Sequence, residues 1–265
     1  MKTRIFSAAA ALVILFGVLL CGKLLVLKIA AAFIAVIGLF ELYRAFHYRK
    51  HRLLCLAGYA VGAAIPFFSD PAQIIGLLFV YLVLGMGVML SRRGELSFSE
   101  LTNFFFFQIY LPCSLACLVW VRESDWGLYA LWLILGGAWL TDTFAYFTGR
   151  AFGKRKLCPE ISPHKTVAGA VGGIVGTTLS ALLYGLYLST RFTVSFPALL
   201  ALGVLLGLLA QIGDLTASWI KREHSVKDFG NLMPGHGGVM DRFDSILLTA
   251  PTVCLFLNCF TLFAK

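Results

Sequence analysis

Charge is what this chain has least of. Asp and Glu together supply 13 of its 265 residues, and all charged types only 13%, against 59% hydrophobic residues and a mean hydropathy of +0.86. Soluble domains carry about 25% charged residues, so this composition excludes one. Zinc and disulfide frameworks are missing too: Cys21, Cys55, Cys113, Cys117, Cys158, Cys254 and Cys259 form no C-x-x-C pair, and most lie in apolar runs where a thiol packs as a small side chain. The G-x-x-x-x-G-K-[ST] order of a Walker P-loop does not occur. There is no low-complexity tract and no clear internal repeat. No small-x-small cleavage site follows the first apolar run, where Leu20 precedes Cys21, which argues against Lys2 and Arg4 heading a removed signal.

What is present is hydrocarbon-compatible length. Nearly uncharged runs that meet the requirement for crossing a bilayer, about 17–25 residues at roughly 1.5 Å each, are placed near 5–22, 24–42, 53–69, 72–90, 101–121, 127–148, 166–188, 196–217 and 245–263. Only helices satisfy their own backbone groups in lipid at this segment length. The expected fold is therefore an all-α polytopic integral membrane protein, a bundle of about nine transmembrane helices. Residues 1–100 read as scaffold helices that also offer dimer contacts, and 101–265 as a catalytic region with long polar connections at 149–165 and 219–244.

Basic residues orient the bundle. With alternating helices, only Lys23, Lys28, Arg122, Arg191 and Lys265 fall on one side, so the positive-inside bias places the N-terminus and the polar connections in the cytoplasm. The net charge of +9 finds its explanation in that bias. A nucleic-acid partner is excluded because no soluble basic domain exists to hold one, and anionic lipid headgroups are the natural neighbours of that face. The loop from Glu41 to Arg52, with Tyr43, Arg44, His47 and Tyr48, reads as an interfacial anchor. Gly169, Gly172, Gly173 and Gly176 form overlapping small-x-x-x-small pairs, a helix-packing pattern.

The remaining polar residues cluster late in the chain, and ionisable groups beside apolar spans are the default functional-site hypothesis. Asp214, Ser218 and Lys221 share a helix face at i, i+4 and i+7. Asp241, Asp244 and Ser245 open the next helix, where a cap would explain one carboxylate but not the company of Asp228, Lys227, Arg222 and Arg242. Carboxylates among cations suit a magnesium ion carrying phosphates. The run Pro234-Gly235-His236-Gly237-Gly238 permits backbone amides to face an anion, although a plain tight turn is the commoner meaning, and His236 is either a general base or a turn-holding residue. Earlier, Asp142 and Tyr146 share a face, followed by Gly149 to Lys154; Ser162-Pro163-His164-Lys165-Thr166 then opens a helix at which Lys165 and free amides would meet phosphate.

The span Ser218-Trp219-Ile220-Lys221-Arg222, then Lys227-Asp228, Pro234-Gly235-His236-Gly237-Gly238 and Asp241-Arg242-Phe243-Asp244 resembles the C-terminal motif of the phosphatidate cytidylyltransferases, and the similarity extends to 142–154, to 162–166 and to the size of the chain. It departs at His164 and Ala168, where the family usually has lysine and glutamate. The resemblance implies transfer of a cytidylyl group from CTP to phosphatidic acid, giving CDP-diacylglycerol and pyrophosphate for phospholipid biosynthesis, in a bacterial inner membrane with the active site facing the cytoplasm. It implies Mg2+, with a second metal or K+ open, and a homodimer among membrane lipids. Carried over, Asp214, Asp241 and Asp244 are the metal residues; Asp214, Ser218, Lys221, Asp241 and Lys165 are catalytic. Arg222, Lys227, Asp228, His236, Gly237, Gly238, Arg242, Asp142, Lys154 and Ser162 meet substrate. Two other classes stay open: a different CTP-dependent lipid enzyme such as a prenol kinase or a divergent paralogue, and a secondary transporter.

Overall fold

The structure is a computed structural model that describes residues 13, 16–18, 23–91, 94–232 and 237–264. Six helices among these are long and apolar enough to cross a membrane, and the protein is an all-α polytopic membrane protein. The expected run at 5–22 lies largely outside the described residues. The chain forms two compact units, Met1–Trp120 with His224–Arg242, and Val121–Glu223 with Phe243–Lys265.

The first unit contains α1 (Leu24–Ala45), α2 (Arg52–Ala64), α3 (Pro71–Ser91), α4 (Phe98–Gln108) and most of α5 (Ser114–Glu123). The segment expected to span at 53–69 gives only the 13 residues of α2 and a 3-10 turn at Ile65–Phe67. Pro66 and Pro71 bracket its end, and proline disfavours helical continuation at the residue before it. Ser97 and Glu100 form a reciprocal capping box that starts α4, with Glu100 N to Ser97 Oγ at 3.1 Å and Ser97 N to Glu100 Oε2 at 2.8 Å. Pro112 lacks the N–H that an α-helix would need there, and the chain widens into a π-turn at Ile109–Cys113 between α4 and α5.

Apolar helices in lipid gain little hydrophobic drive toward one another, so close packing and internal hydrogen bonds must hold them. Here Gln108 Nε2 donates to Gly58 O at 3.0 Å and to the Tyr43 hydroxyl at 3.1 Å, while the Tyr81 hydroxyl donates to Leu54 O at 3.2 Å. This polar knot ties α1, α2, α3 and α4 together. Outside it, α3 leaves Ile75, Phe79 and Val80 exposed, as a lipid-facing helix would.

The second unit is built from α6 (Gly127–Phe152), a hairpin of β1 (Lys156–Cys158) and β2 (Ser162–Thr166), α7 (Val167–Leu188), β3 (Thr193–Val194), α8 (Phe196–Glu223), α10 (Ile246–Cys259) and β4 (Phe263–Ala264), which pairs with β3. The four-residue α9 (Met240–Phe243) lies where the chain passes between units. A single helix expected at 245–263 is instead α10, 14 residues long, closed by the turn into β4. Ser162–Thr166 does not open a helix: it is a strand, and α7 starts after it with Thr166 as N-cap.

The α7 helix is two-faced without being amphipathic. Val171, Val175, Leu179 and Leu183 form an exposed stripe, while Gly169, Gly173 and Gly176 are buried. A Cβ on Gly169 would lie 2.7 Å from Ala145 O and one on Gly173 3.1 Å from Thr141 O, so these glycines serve the close approach of α6. The opposite neighbour, α8, contributes its own pair, Gly203 and Gly207, whose missing side chains admit the backbone of α7.

Candidate active site

In the second unit, a cavity of about 540 Å³ opens where the end of α6, the β1–β2 hairpin, the start of α7 and the last turns of α8 meet. Its size is within the range of small-molecule sites. Asp142, Tyr146, Gly149 and Arg150 reach it from α6, Lys156 from β1, His164 and Lys165 from β2, Gly169 from α7, and Gln211 and Asp214 from α8.

Local rules position each of these. The i, i+4, i+8 spacing of Asp142, Tyr146 and Arg150 aligns them on one face of α6. Thr166 is buried and its Oγ1 accepts from Gly169 N at 3.1 Å, which stops the strand and starts α7 beside the cavity. Lys156 pairs with Thr166 in the hairpin, and Val167 N donates to Arg155 O at 3.0 Å, so the hairpin is sewn to the helix start. Gln211 donates through Nε2 to Ala170 O at 3.1 Å and Gly207 O at 2.8 Å, linking α8 to α7 one turn before Asp214.

The central contact is an ion pair, Lys165 Nζ to Asp214 Oδ2 at 2.5 Å, with both side chains about three-quarters buried (25% and 26% exposed). Ser218 Oγ donates to Asp214 Oδ1 at 3.4 Å. Further along α8, Arg222 Nε donates to Ile161 O at 3.3 Å and so meets the hairpin tip.

Asp244 lies before α10, and its backbone carbonyl sits against Gly213, where a Cβ would come within 2.5 Å. Ser245 N donates to Asp244 Oδ1 at 2.7 Å. Burial, then the negative charge of Asp214, then that of Asp142 push the Asp244 carboxyl up to about 7, with the Ser245 amide and Lys221 acting the other way. Because that exceeds the unfolded value of about 3.9, the unfolded chain gives up this proton first, and stability present at low pH is lost as pH rises from about 4 to 7. The metal-free Asp244→Asn variant is therefore expected to lose less thermal stability than the parent between pH 5 and pH 8. Equal losses in the two proteins would contradict this cause.

Among the described residues no group of three or more His, Cys, Asp and Glu side chains is already arranged to hold a metal. Asp142, Asp214 and Asp244 nonetheless act on one another electrostatically, and carboxylate oxygens are the donor type that a hard divalent cation takes.

Of the other sequence-predicted residues, Lys227, Asp228, Gly237, Gly238, Asp241 and Arg242 lie in the first unit. Asp241 is buried and its Oδ2 accepts from Phe229 N at 2.9 Å and Gly238 N at 3.0 Å, so one carboxylate oxygen holds two amides nine positions apart. Gly237 has φ +85, a left-handed conformation that only glycine adopts cheaply, and a Cβ there would lie 2.9 Å from Asp241 Oδ2 and 3.3 Å from Asp228 Oδ1. Lys227, Asp228 and Arg242 are exposed. His236, with Pro234 and Gly235, lies outside the described residues. In the second unit, Lys154 is exposed just after α6, and Ser162 is half-buried opposite Cys158 in the hairpin.

The structure also corrects the place of Glu41. Glu41 belongs not to an interfacial loop but to α1, 3% exposed, with its carboxylate on the backbone of the 229–241 loop. A single carboxylate at the end of an otherwise apolar helix, with Arg44 one turn on, was the signal available.

These features coincide with a match of residues 2–260 to the model of the cytidylyltransferase family. The chain belongs to the cytidylyltransferase family. This cytidylyltransferase is 33% identical over 274 residues to the phosphatidate cytidylyltransferase of Bacillus subtilis (strain 168), covering 98% of this chain and 99% of the relative. It is 33% identical over 266 residues to the protein of that name from Staphylococcus saprophyticus (97% and 99% covered), and 34% identical over 186 residues to that from Rickettsia bellii (69% and 80% covered). The cytidylyltransferase match runs through both units, so neither is an unrelated attachment.

Proposed function

We propose that this chain transfers the cytidylyl group of CTP to phosphatidic acid, producing CDP-diacylglycerol and pyrophosphate for phospholipid synthesis. The observation that carries the reading is the cavity in which Lys165 and Asp214 pair among Arg150, Lys156, His164 and Asp142, within a chain matched over nearly its whole length by phosphatidate cytidylyltransferases. In the reaction a phosphate oxygen of the lipid attacks the α-phosphorus of CTP. A new P–O bond forms as the bond from that phosphorus to the bridging oxygen breaks, and pyrophosphate leaves with the electron pair.

Two anions must meet for this to happen, so neutralising and positioning them is the main task of the protein. Lys165, Lys156 and Arg150 present cations to phosphate oxygens on one wall of the cavity. Ser218 and Lys221 extend the polar face of α8, and Arg222 braces the hairpin that carries Lys165. Asp214, with Asp142 and Asp244 beside it, would hold Mg2+, which when bound supplies charge neutralisation at the triphosphate. The first unit has, by itself, the exposed cations Lys227 and Arg242, of the kind that meets phosphate, with Asp228 exposed beside them and Asp241 holding the amides of Phe229 and Gly238. The lipid enters from the cytoplasmic leaflet of a bacterial inner membrane, with its acyl chains in hydrocarbon, and the working form is a homodimer.

Purified protein in detergent, given CTP, Mg2+ and phosphatidic acid, is expected to release pyrophosphate and form CDP-diacylglycerol, with release dependent on the lipid. Absence of lipid-dependent release, or a preference for a prenol over phosphatidic acid, would overturn the reading. Omitting divalent metal is expected to abolish turnover.

A further inference from the structure

We infer that Glu41 is a positioning residue for the reaction: its carboxylate fixes the backbone amides that lead directly into Asp241 and Arg242. The inference rests on the function proposed above. It concerns a helix to which sequence reasoning gives only a scaffold role.

Glu41 is a carboxylate with 3% exposure near the end of α1, and such a group is tolerated only when its lone pairs are well used. Its Oε1 accepts from Val239 N at 3.0 Å and its Oε2 from Met240 N at 2.9 Å. Both donors are backbone amides immediately before Asp241. One turn along α1, Arg44 Nη2 donates to Phe229 O at 2.8 Å, holding the backbone one residue after Asp228. A side chain on Gly230 or on Gly238 would run into the Glu41 carboxylate, so both glycines are shaped around it.

The Asp241 carboxylate holds the amides of Phe229 and Gly238 in the same fashion. Two acids thus take four amides from one loop, but only one of them belongs to the C-terminal motif. Asp241 holds Phe229 and Gly238 to one carboxylate, whereas Glu41 fixes Val239 and Met240 to the helix. Charge-assisted bonds to backbone amides are strong and directional. Asp228, one residue before Phe229, and Arg242, two after Met240, are exposed.

A residue that merely stabilised the fold would lower the melting temperature and leave turnover per folded molecule intact. A positioning residue does more, because misplacement by about an ångström, even far from the chemistry, can cost on the order of 100-fold in rate.

Glu41→Ala and Glu41→Gln should be compared as full-length purified proteins. Hydrogen–deuterium exchange of peptides covering 229–241 should accelerate in Glu41→Ala while peptides of α6, α7 and α8 stay unchanged. Its kcat for cytidylyl transfer should fall about 100-fold at unchanged KM for phosphatidic acid. Glu41→Gln keeps the shape and one acceptor but turns an NH2 group on the second amide, so it should lie between parent and alanine variant in both measurements. If the alanine variant does not fold, the isosteric glutamine variant carries the same test against the parent.

Unaltered exchange in the loop, or faster exchange with normal kcat, would overturn the inference. Asp214→Asn is assayed alongside. If it is inactive while the Glu41 variants turn over normally, only this inference fails. If it is fully active as well, the reading of the reaction fails with it.

Discussion

Replacing Asp214 by Asn is expected to reduce cytidylyl transfer on the order of 100–1000-fold, the loss typical when a group that stabilises developing charge is removed. The substitution keeps the shape of the side chain and removes its charge. Ser218 Oγ would keep an acceptor, but Lys165, only 25% exposed and 2.5 Å from the carboxylate, would lose its counter-ion. The cavity would then carry Arg150, Lys156 and Lys165 against Asp142, and a divalent cation would find one carboxylate fewer. Helix α8 should persist, because Gln211 and the glycine contacts with α7 hold it independently of Asp214. The check is a pair of measurements on one preparation: rate of pyrophosphate release, and thermal unfolding in detergent. Near-parental turnover would remove Asp214 from the reaction, while joint loss of rate and fold would make its role structural.

The largest effect on stability is expected from Gly207→Val. A Cβ at Gly207 would sit 2.7 Å from Ile174 Cα, and one at neighbouring Gly203 2.8 Å from Thr178 Cα. These are backbone atoms, which have no rotamer to retreat into, so α7 and α8 would have to separate along a whole turn. Overpacking of this kind costs about 1–3 kcal/mol and occasionally more. Separation also strips helix contacts that an apolar solvent does not restore by squeezing the helices together. In contrast, Gly87 on α3 has nothing within 4 Å of a built Cβ, and Gly87→Ala should be neutral or slightly stabilising. A lower unfolding temperature and lower yield for Gly207→Val, beside an unchanged Gly87→Ala, is the expected result. Equal stability of the two would refute the packing account.

The late motifs stand out by residue type, because carboxylates, cations and glycines have few reasons to gather beside apolar spans. Asp142, Lys165 and Asp214 lie far apart in the chain, yet the structure brings them to one cavity through contacts of α6, β2 and α8. The glycines of α7 were legible as packing because their spacing reports a helix face directly. Other features left no such trace. Three- and five-residue strands with Pro163 in one of them show too little alternation to be told from a loop, so the β1–β2 hairpin could not be foreseen. Hydropathy measures length without seeing where a helix stops, and it overstated α2 and α10. Glu41 was misplaced because basic and aromatic residues follow it closely, and a charge next to such a run reads as interfacial. Its partners are backbone amides nearly two hundred positions away, and amides have no letter in the sequence.

That last property has a mutational consequence. Hydrogen bonds to main-chain N–H groups are blind to which side chain the donor carries, so Val239 and Met240 can be exchanged for other apolar residues while Glu41 keeps its hold. Proline, which has no such hydrogen to give, is barred from both places, and the adjacent Gly238 tolerates no branch at all. The tether is thus tolerant of vocabulary and strict about geometry, and a saturation library across 237–241 would show permissive and forbidden positions side by side.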